Sequence, residues 1–295
     1  MTQFLQKYGL SADVPALEAL IESVKAEVPT LKTREALLSC FSLMDLTTLK
    51  TDDTEASVAA LVNKVNDYAR KYPDYPLPAS VCVFSNFASV VAETRNNPAL
   101  HATVVSACFP SSQSFLDVKL LEVRKAVENG ADEVDIVLNL CKFLSGDYAG
   151  AFDEIKAVKA TIEDAAPDRK VILKVILETG LLPDAEHILS ASFLAMEAGA
   201  DFIKTSTGKV SVNATPIAAA LMCSAIKAFH ATTGKIVGFK PAGGLSSADD
   251  AILYYNIVSR ILGPIWLSPK TLRFGVSRMA NNLLSAIEGK ELKQF

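Results

Sequence analysis

The chain has 295 residues, 50% of them hydrophobic and 21% charged, with a formal net charge of -4. That is long for an ordinary domain but normal for a barrel of alternating strands and helices. The acidic balance argues against nucleic acid and anionic membrane as partners, since both select for basic patches.

Residues 1–30 have no basic start followed by an apolar core, so no signal peptide is expected and the reading is cytoplasmic. The longest uncharged stretch, 210–226, is interrupted by Asn213, Thr215 and Pro216 and does not read as a membrane span. Cys40, Cys82, Cys108, Cys141 and Cys223 are scattered without a CxxC pair and read as reduced thiols. His101, His187 and His230 are isolated, so neither a metal site nor a cofactor is expected.

Two helix patterns come first, 14–28 after Ser11-Ala12-Asp13 and a second near 33–41. They read as a short N-terminal helical extension, 1–41, on a domain spanning 42–295. Eight short, nearly continuous apolar runs follow, near SLMDLT at Ser42, SVCVF at Ser80, ATVVSACF at Ala102 and DEVDIVLN at Asp132. The rest are VILKVILE at Val171, DFIKTST at Asp201, IVGFKP at Ile236 and LRFGVS at Leu272. Strands covered on both faces look like this.

Helical patterns separate them at 54–71, 87–95, 116–128, 150–164, 183–198, 216–230, 248–262 and 277–287. The first begins at a Thr51-Asp52-Asp53-Thr54 cap, the third stops at Asn129-Gly130, and Pro183 and Pro216 suit first turns. Strand–helix repetition with short loops predicts parallel strands and right-handed crossovers. The expected fold is therefore α/β, a (β/α)8 TIM barrel. The rival doubly wound sheet usually carries GxGxxG after its first strand, and the chain has none.

Three of the strands contain lysines among apolar residues: Lys174, Lys204 and Lys240. Asp135 lies in a fourth. An unpaired buried charge is costly, so one such lysine reads as a strand-bridging group but three with an aspartate read as a site. Asp135, Asp132, Glu133 and Glu178 are the carboxylates available nearby in sequence. Burial and a neighbouring ammonium both lower an amine's pKa, and a neutral lysine attacks carbonyls to form a Schiff base. A carboxylate within reach moves the protons. This set suits lysine-dependent aldol chemistry better than zinc-assisted enolate chemistry.

Glycines end three consecutive strands, in Thr207-Gly208-Lys209, Gly243-Gly244 and Gly275-Val276-Ser277. Such loops let backbone N–H groups approach an anion, and loops seven and eight commonly cradle phosphate in these barrels. Thr207 to Lys209 is not a P-loop, because Ile203 stands where that motif needs Gly.

DFIKTSTGK, VGFKPAGG, LMDLTTL, DEVDIV and LKVILETG, long motifs spaced in family order over about 43–277, together resemble the deoxyribose-phosphate aldolase family. The resemblance implies a TIM barrel that reversibly cleaves 2-deoxy-D-ribose 5-phosphate to acetaldehyde and D-glyceraldehyde 3-phosphate. It implies Lys204 as the Schiff-base lysine, a choice spacing alone leaves open against Lys240. It further implies Lys240 as the charged neighbour, Asp135 as acid/base and Lys174 as that aspartate's partner. Asp45 and Thr47 then lie near the substrate hydroxyls, and Gly208, Lys209, Gly243, Gly244 and Ser277 at the phosphate end, to which the glycine-bearing loops themselves add Thr207 and Gly275. A homodimer is common in the family.

Three positions depart from the family pattern. Ser246 stands where Arg is frequent, Arg278 where a second serine is frequent, and the chain ends in Phe295 without the terminal tyrosine of some members. Arg278 is expected to supply the charge missing at position 246, since Arg binds phosphate bidentately. Two other readings stay open: another class I aldolase, or a non-catalytic binder of phosphorylated sugars.

Overall fold

The computed structural model describes residues 2–295. Three helices precede the first strand: α1 (Thr2–Tyr8), α2 (Val14–Leu31) and α3 (Arg34–Ser42). The side chains of Asp13 and Thr33 cap α2 and α3 by accepting from Ala16 N and Ala36 N. α2 continues through Pro29 to Leu31, past the end expected at Val28. α1 is absent from the sequence reading. Its seven residues are too few to be stable alone. Tertiary contacts hold it instead: the Tyr8 ring stacks on Phe193 at 4.2 Å, and Lys7 Nζ and Tyr8 Oη donate to Glu197 at 2.8 and 2.9 Å.

Eight strand–helix units follow. β1 (Met44–Thr47) leads to α4 (Glu55–Lys71), β2 (Ser80–Phe84) to α5 (Ala88–Thr94) and β3 (His101–Val105) to α6 (Leu116–Glu128). β4 (Glu133–Val137) leads to α7 (Leu140–Leu144) and α8 (Tyr148–Ala165), and β5 (Ile172–Ile176) to α9 (Ala185–Glu197). β6 (Phe202–Lys204) leads to α10 (Pro216–Thr233), β7 (Gly238–Lys240) to α11 (Ala248–Leu262) and β8 (Phe274–Val276) to α12 (Met279–Glu288). All neighbouring strands pair in parallel, in the order β7-β6-β5-β4-β3-β2-β1-β8. Bridges Phe239–Leu272 and Ala242–Gly275 bring β7 to β8 and close the ring. The fold is a (β/α)8 barrel.

Two local differences from the sequence pattern have physical causes. The apolar run after Ala102 suggested a strand reaching Phe109, but β3 ends at Val105. Beyond it, Ala107 and Cys108 take φ of 56° and 61°, and Cys108 N donates to Glu122 Oε2 on α6 at 2.8 Å. A distant acceptor thus bends a stretch that is apolar enough to continue. The short helix α7 begins where the Asn139 side chain accepts from Lys142 N.

Along each strand, alternate residues face outward into one large apolar core shared with the helices, among them Val81, Val104, Val134, Leu173, Ile203 and Phe239. The intervening residues fill the barrel interior, as a parallel barrel requires. α1 packs on α9 and α10, α2 on α10 and α11, and α3 on α11 and α12.

Candidate active site

The interior residues are unusually polar. Asp45, Glu133, Asp135, Lys174, Lys204, Lys240 and Arg273 are all buried. Strand register aligns Asp135 with Lys174, and Lys204 with Lys240. Since β4 to β7 are consecutive neighbours, four inward side chains converge on one point.

Asp135 is that point. Its Oδ1 accepts from Lys174 Nζ at 2.8 Å, and its Oδ2 accepts from both Lys204 Nζ and Lys240 Nζ at 2.8 Å. Lys174 also meets Glu133 Oε2 at 2.5 Å, and Lys240 meets Asp45 Oδ2 at 2.5 Å. Arg273 joins the carboxylates from below, donating to Asp45 Oδ1 at 2.7 Å and to Glu133 Oε1 and Oε2 at 2.6 and 3.1 Å. Three carboxylates therefore face four cationic side chains. Lys204 is the lysine with only one carboxylate neighbour, and it shares that oxygen with Lys240.

The electrostatics follow from these contacts. Burial lowers the Lys204 pKa first; Asp135 pulls it back, and Lys240 pushes it down again, leaving it below the ordinary lysine value. Burial acts on Lys240 in the same sense, but Asp135 and Asp45 outweigh it and hold that ammonium charged. The same holds for Lys174 between Asp135 and Glu133. For Asp135, burial alone would favour the neutral acid, yet the three ammonium groups keep it ionised, with its pKa far below the carboxylate range.

Above Asp135 a cavity of about 300 Å3 opens at the C-terminal ends of the strands. Among the three lysines, only Lys204 lines it. Thr47 to Lys50 after β1, Thr207 to Lys209 after β6, Ala242 to Gly244 after β7 and Gly275 to Ser277 at β8 complete the wall. Glu178, held at a left-handed φ of 53°, accepts from Thr207 Oγ1 at 2.5 Å and Thr207 N at 3.1 Å. Lys209 Nζ donates to Leu49 O at 2.6 Å and so ties the sixth loop to the first. Two glycines are required sterically. A Cβ on Gly275 would lie 3.1 Å from Lys240 Cε and 2.7 Å from Ala242 Cβ. Gly243 has φ of 80°, and a Cβ there would strike the Asn213 side chain at 2.7 Å.

Of the residues singled out from sequence, Lys204, Thr47, Thr207, Gly208, Lys209, Gly243, Gly244, Gly275 and Ser277 line this cavity. Asp45, Asp135, Lys174 and Lys240 lie beneath it. Arg278 is exposed and lines the adjoining groove with Lys50, Asp53 and Lys64. Of the four carboxylates available nearby in sequence, Asp135 and Glu133 neutralise the lysines. Asp132 instead pairs with Arg95 outside the interior, and Glu178 anchors Thr207. Arg273 escaped the sequence reading, although it stands second in LRFGVS, the run read as the eighth strand, and so carried the same signal as the lysines. Among the described residues no group of metal-ligating side chains converges.

A parallel barrel with a desolvated amine beside a carboxylate, both under a polar cavity at the strands' C-terminal ends, defines a lysine-type aldolase. The particular family is shown by comparison. Residues 40–253 match the model of the DeoC/LacD family aldolases, and the chain belongs to that family. A deoxyribose-phosphate aldolase of Agrobacterium fabrum is 40% identical over 262 residues, covering 88% of this chain and 95% of its own. A Caenorhabditis elegans protein provisionally named for the same enzyme is 37% identical over 286 residues, covering 96% of this chain and 92% of its own. The deoxyribose phosphate aldolase of Aeropyrum pernix, described as a tetramer, shares the fold with a TM-score of 0.66 and 24% identity, over 84% of this chain and 91% of its own.

Proposed function

We propose that the protein reversibly cleaves 2-deoxy-D-ribose 5-phosphate to acetaldehyde and D-glyceraldehyde 3-phosphate, through a Schiff base on Lys204. The observation that carries this reading is the difference among three buried lysines: only Lys204 both meets the cavity and lacks a carboxylate of its own. Its neutral Nζ adds to the substrate aldehyde carbon, and the carbinolamine loses water to give an iminium. The iminium accepts the electron pair of the C2–C3 bond as the C3 hydroxyl loses its proton. Glyceraldehyde 3-phosphate departs, and the remaining enamine is protonated at carbon and hydrolysed to acetaldehyde. Asp135, within hydrogen-bond reach of Lys204 Nζ, moves protons in these steps. Lys174 and Lys240 fix both oxygens of that carboxylate and keep it ionised.

The phosphate group is assigned to the glycine-bearing loops after β6 and β7 and to the start of α12, where backbone N–H groups suit an anion. Arg278, exposed at the rim beside Ser277, adds a guanidinium to that end. The Arg278→Ala variant is expected to lose about tenfold of the preference for phosphorylated over unphosphorylated deoxyribose, the size of one charge-assisted hydrogen bond. An unchanged ratio of kcat/KM values would remove Arg278 from the phosphate site.

The decisive test is acetaldehyde trapping with borohydride, followed by peptide mass spectrometry. An ethyl adduct on Lys204, absent in Lys204→Leu, is the expected result. A protein that takes up no adduct on any lysine is a binder rather than an aldolase. A panel of phosphorylated sugars then separates deoxyribose 5-phosphate from other substrates. The cytoplasm and a homodimer are the location and assembly that go with this reading; equilibrium sedimentation checks the latter.

A further inference from the structure

The active-site cavity is continuous with a groove of about 640 Å3, since Thr47, Thr48, Lys50 and Ser277 line both. One wall of the groove is a face of α4. Ser57, Ala60, Leu61 and Lys64 fall there at i, i+3, i+4 and i+7, the spacing that stacks side chains on one side of a helix. Another wall is Ser277 and Arg278, which lead from β8 into α12.

The groove carries an excess of positive charge. Lys50, Lys64 and Arg278 line it, all three exposed, against the single carboxylate of Asp53. That carboxylate is occupied by its own loop. It accepts from Thr48 Oγ1 at 2.9 and 2.8 Å and from Lys50 N at 2.9 Å. Asp67, the next acid along α4 after Lys64, pairs with Arg70 instead. Among the described residues, none of the three lining cations has a carboxylate within ion-pair distance. Like charges gathered on one surface repel one another, and an anion placed among them is attracted by all three.

We propose that this groove is a second anion subsite, which takes the outer phosphoryl of a diphosphate whose inner phosphoryl lies at the phosphate end of the cavity. The inference rests on the assignment of the sugar phosphate to the glycine-bearing loops and the start of α12. Ser277 serves both spaces and Arg278 follows it directly, so two phosphoryls joined through one oxygen meet consecutive residues. Lys50 and Lys64 then face the outer group. A terminal phosphoryl presents three strong acceptor oxygens, one for each of the three cations, whereas a carboxylate presents two.

Inorganic phosphate and inorganic diphosphate serve as probes in calorimetric titration of the full chain at fixed ionic strength. Diphosphate is expected to bind once per chain, in competition with phosphate and at least about tenfold more tightly. Lys64→Glu, an exposed change outside the active-site cavity, should lower the ratio of the two affinities at least about fivefold. Phosphate affinity and cleavage of 2-deoxy-D-ribose 5-phosphate should stay within about twofold of the parent chain. Lys227→Glu makes the same charge change on α10, away from the groove, and should leave the ratio as it is. A ratio near one, or an equal fall in the two variants, overturns the subsite while phosphate binding still upholds the cavity's phosphate end. Failure of phosphate itself to bind overturns that assignment and the subsite with it. Where the ratio behaves as expected, 2-deoxy-D-ribose 5-diphosphate in the cleavage assay separates two sources of the group: cleavage assigns it to a substrate, and no cleavage to free diphosphate.

Discussion

Lys204 differs from Lys174 and Lys240 both in reaching the cavity and in what its nitrogen touches. Lys240 has Asp45 as well as Asp135, and Lys174 has Glu133 as well as Asp135. Exchanging Lys240 for Met removes a positive neighbour from Lys204 and leaves Asp135 Oδ2 to Lys204 alone. Both changes favour the ammonium form, so the Lys204 pKa rises. The neutral fraction at a given pH then falls, and the acid limb of acetaldehyde trapping moves to higher pH. A pH series of borohydride trapping in Lys240→Met reads this directly. A limb that stays in place or moves to lower pH would mean that Lys240 does not set the state of Lys204. The three lysines and Asp135 were legible in sequence because a charge inside an apolar strand has to be explained. Arg273 carried the same signal, standing between Leu272 and Phe274 in the eighth run, and went unused because a lone charge in a strand reads as a bridging group. Asp132 and Glu178 looked equally available to the lysines; which carboxylate turns inward depends on register with neighbouring strands, and that is decided by pairing across the barrel.

At the scale of single elements, the loops after β5, β6 and β7 form a linked set. Glu178 after β5 holds Thr207 after β6, and Thr205 Oγ1 accepts from Ala242 N after β7 at 3.0 Å. A carboxylate can accept both Thr207 donors, whereas a glutamine presents an NH2 to one of them. Glu178→Gln thus loses one charge-assisted hydrogen bond, typically about 1.5–3 kcal/mol. The loop of Thr207 to Lys209 that lines the cavity loosens while Lys204 and Asp135 stay in place. KM for the phosphorylated sugar is expected to rise about tenfold, with acetaldehyde trapping of Lys204 unchanged. Loss of trapping alongside KM would instead place Glu178 in the support of the lysine cluster. The periodicity of the elements was readable in sequence because strands of a parallel barrel are covered on both faces and their helices on one. The end of β3 was not, since the bend at Ala107 and Cys108 depends on an acceptor fourteen residues away.

For the whole molecule, the arrangement separates stability from chemistry by distance along the barrel axis. α1 packs near the C-terminal end of α9, where Glu197 precedes β6, and so near the N-terminal face of the barrel. Its anchor is Tyr8, 7% exposed and stacked on Phe193. The sequence pattern could not supply this helix, because seven residues are too few to hold a helix alone and gain their order chiefly from the surface they cover. Tyr8→Ala removes the stacked ring and the hydroxyl bonded to Glu197 together. By analogy with other buried aromatic truncations it should cost about 3 kcal/mol of unfolding free energy. The cavity around Lys204 lies at the opposite face, so kcat/KM at a temperature where the variant is folded should equal that of the parent chain. Chemical denaturation followed by circular dichroism measures the first quantity and an aldol-cleavage assay the second. A stability loss with unaltered turnover places α1 in the scaffold. A parallel fall in kcat/KM while the fold stays intact would mean that the N-terminal helices act on the barrel interior through α9, and the separation between the two faces would not hold.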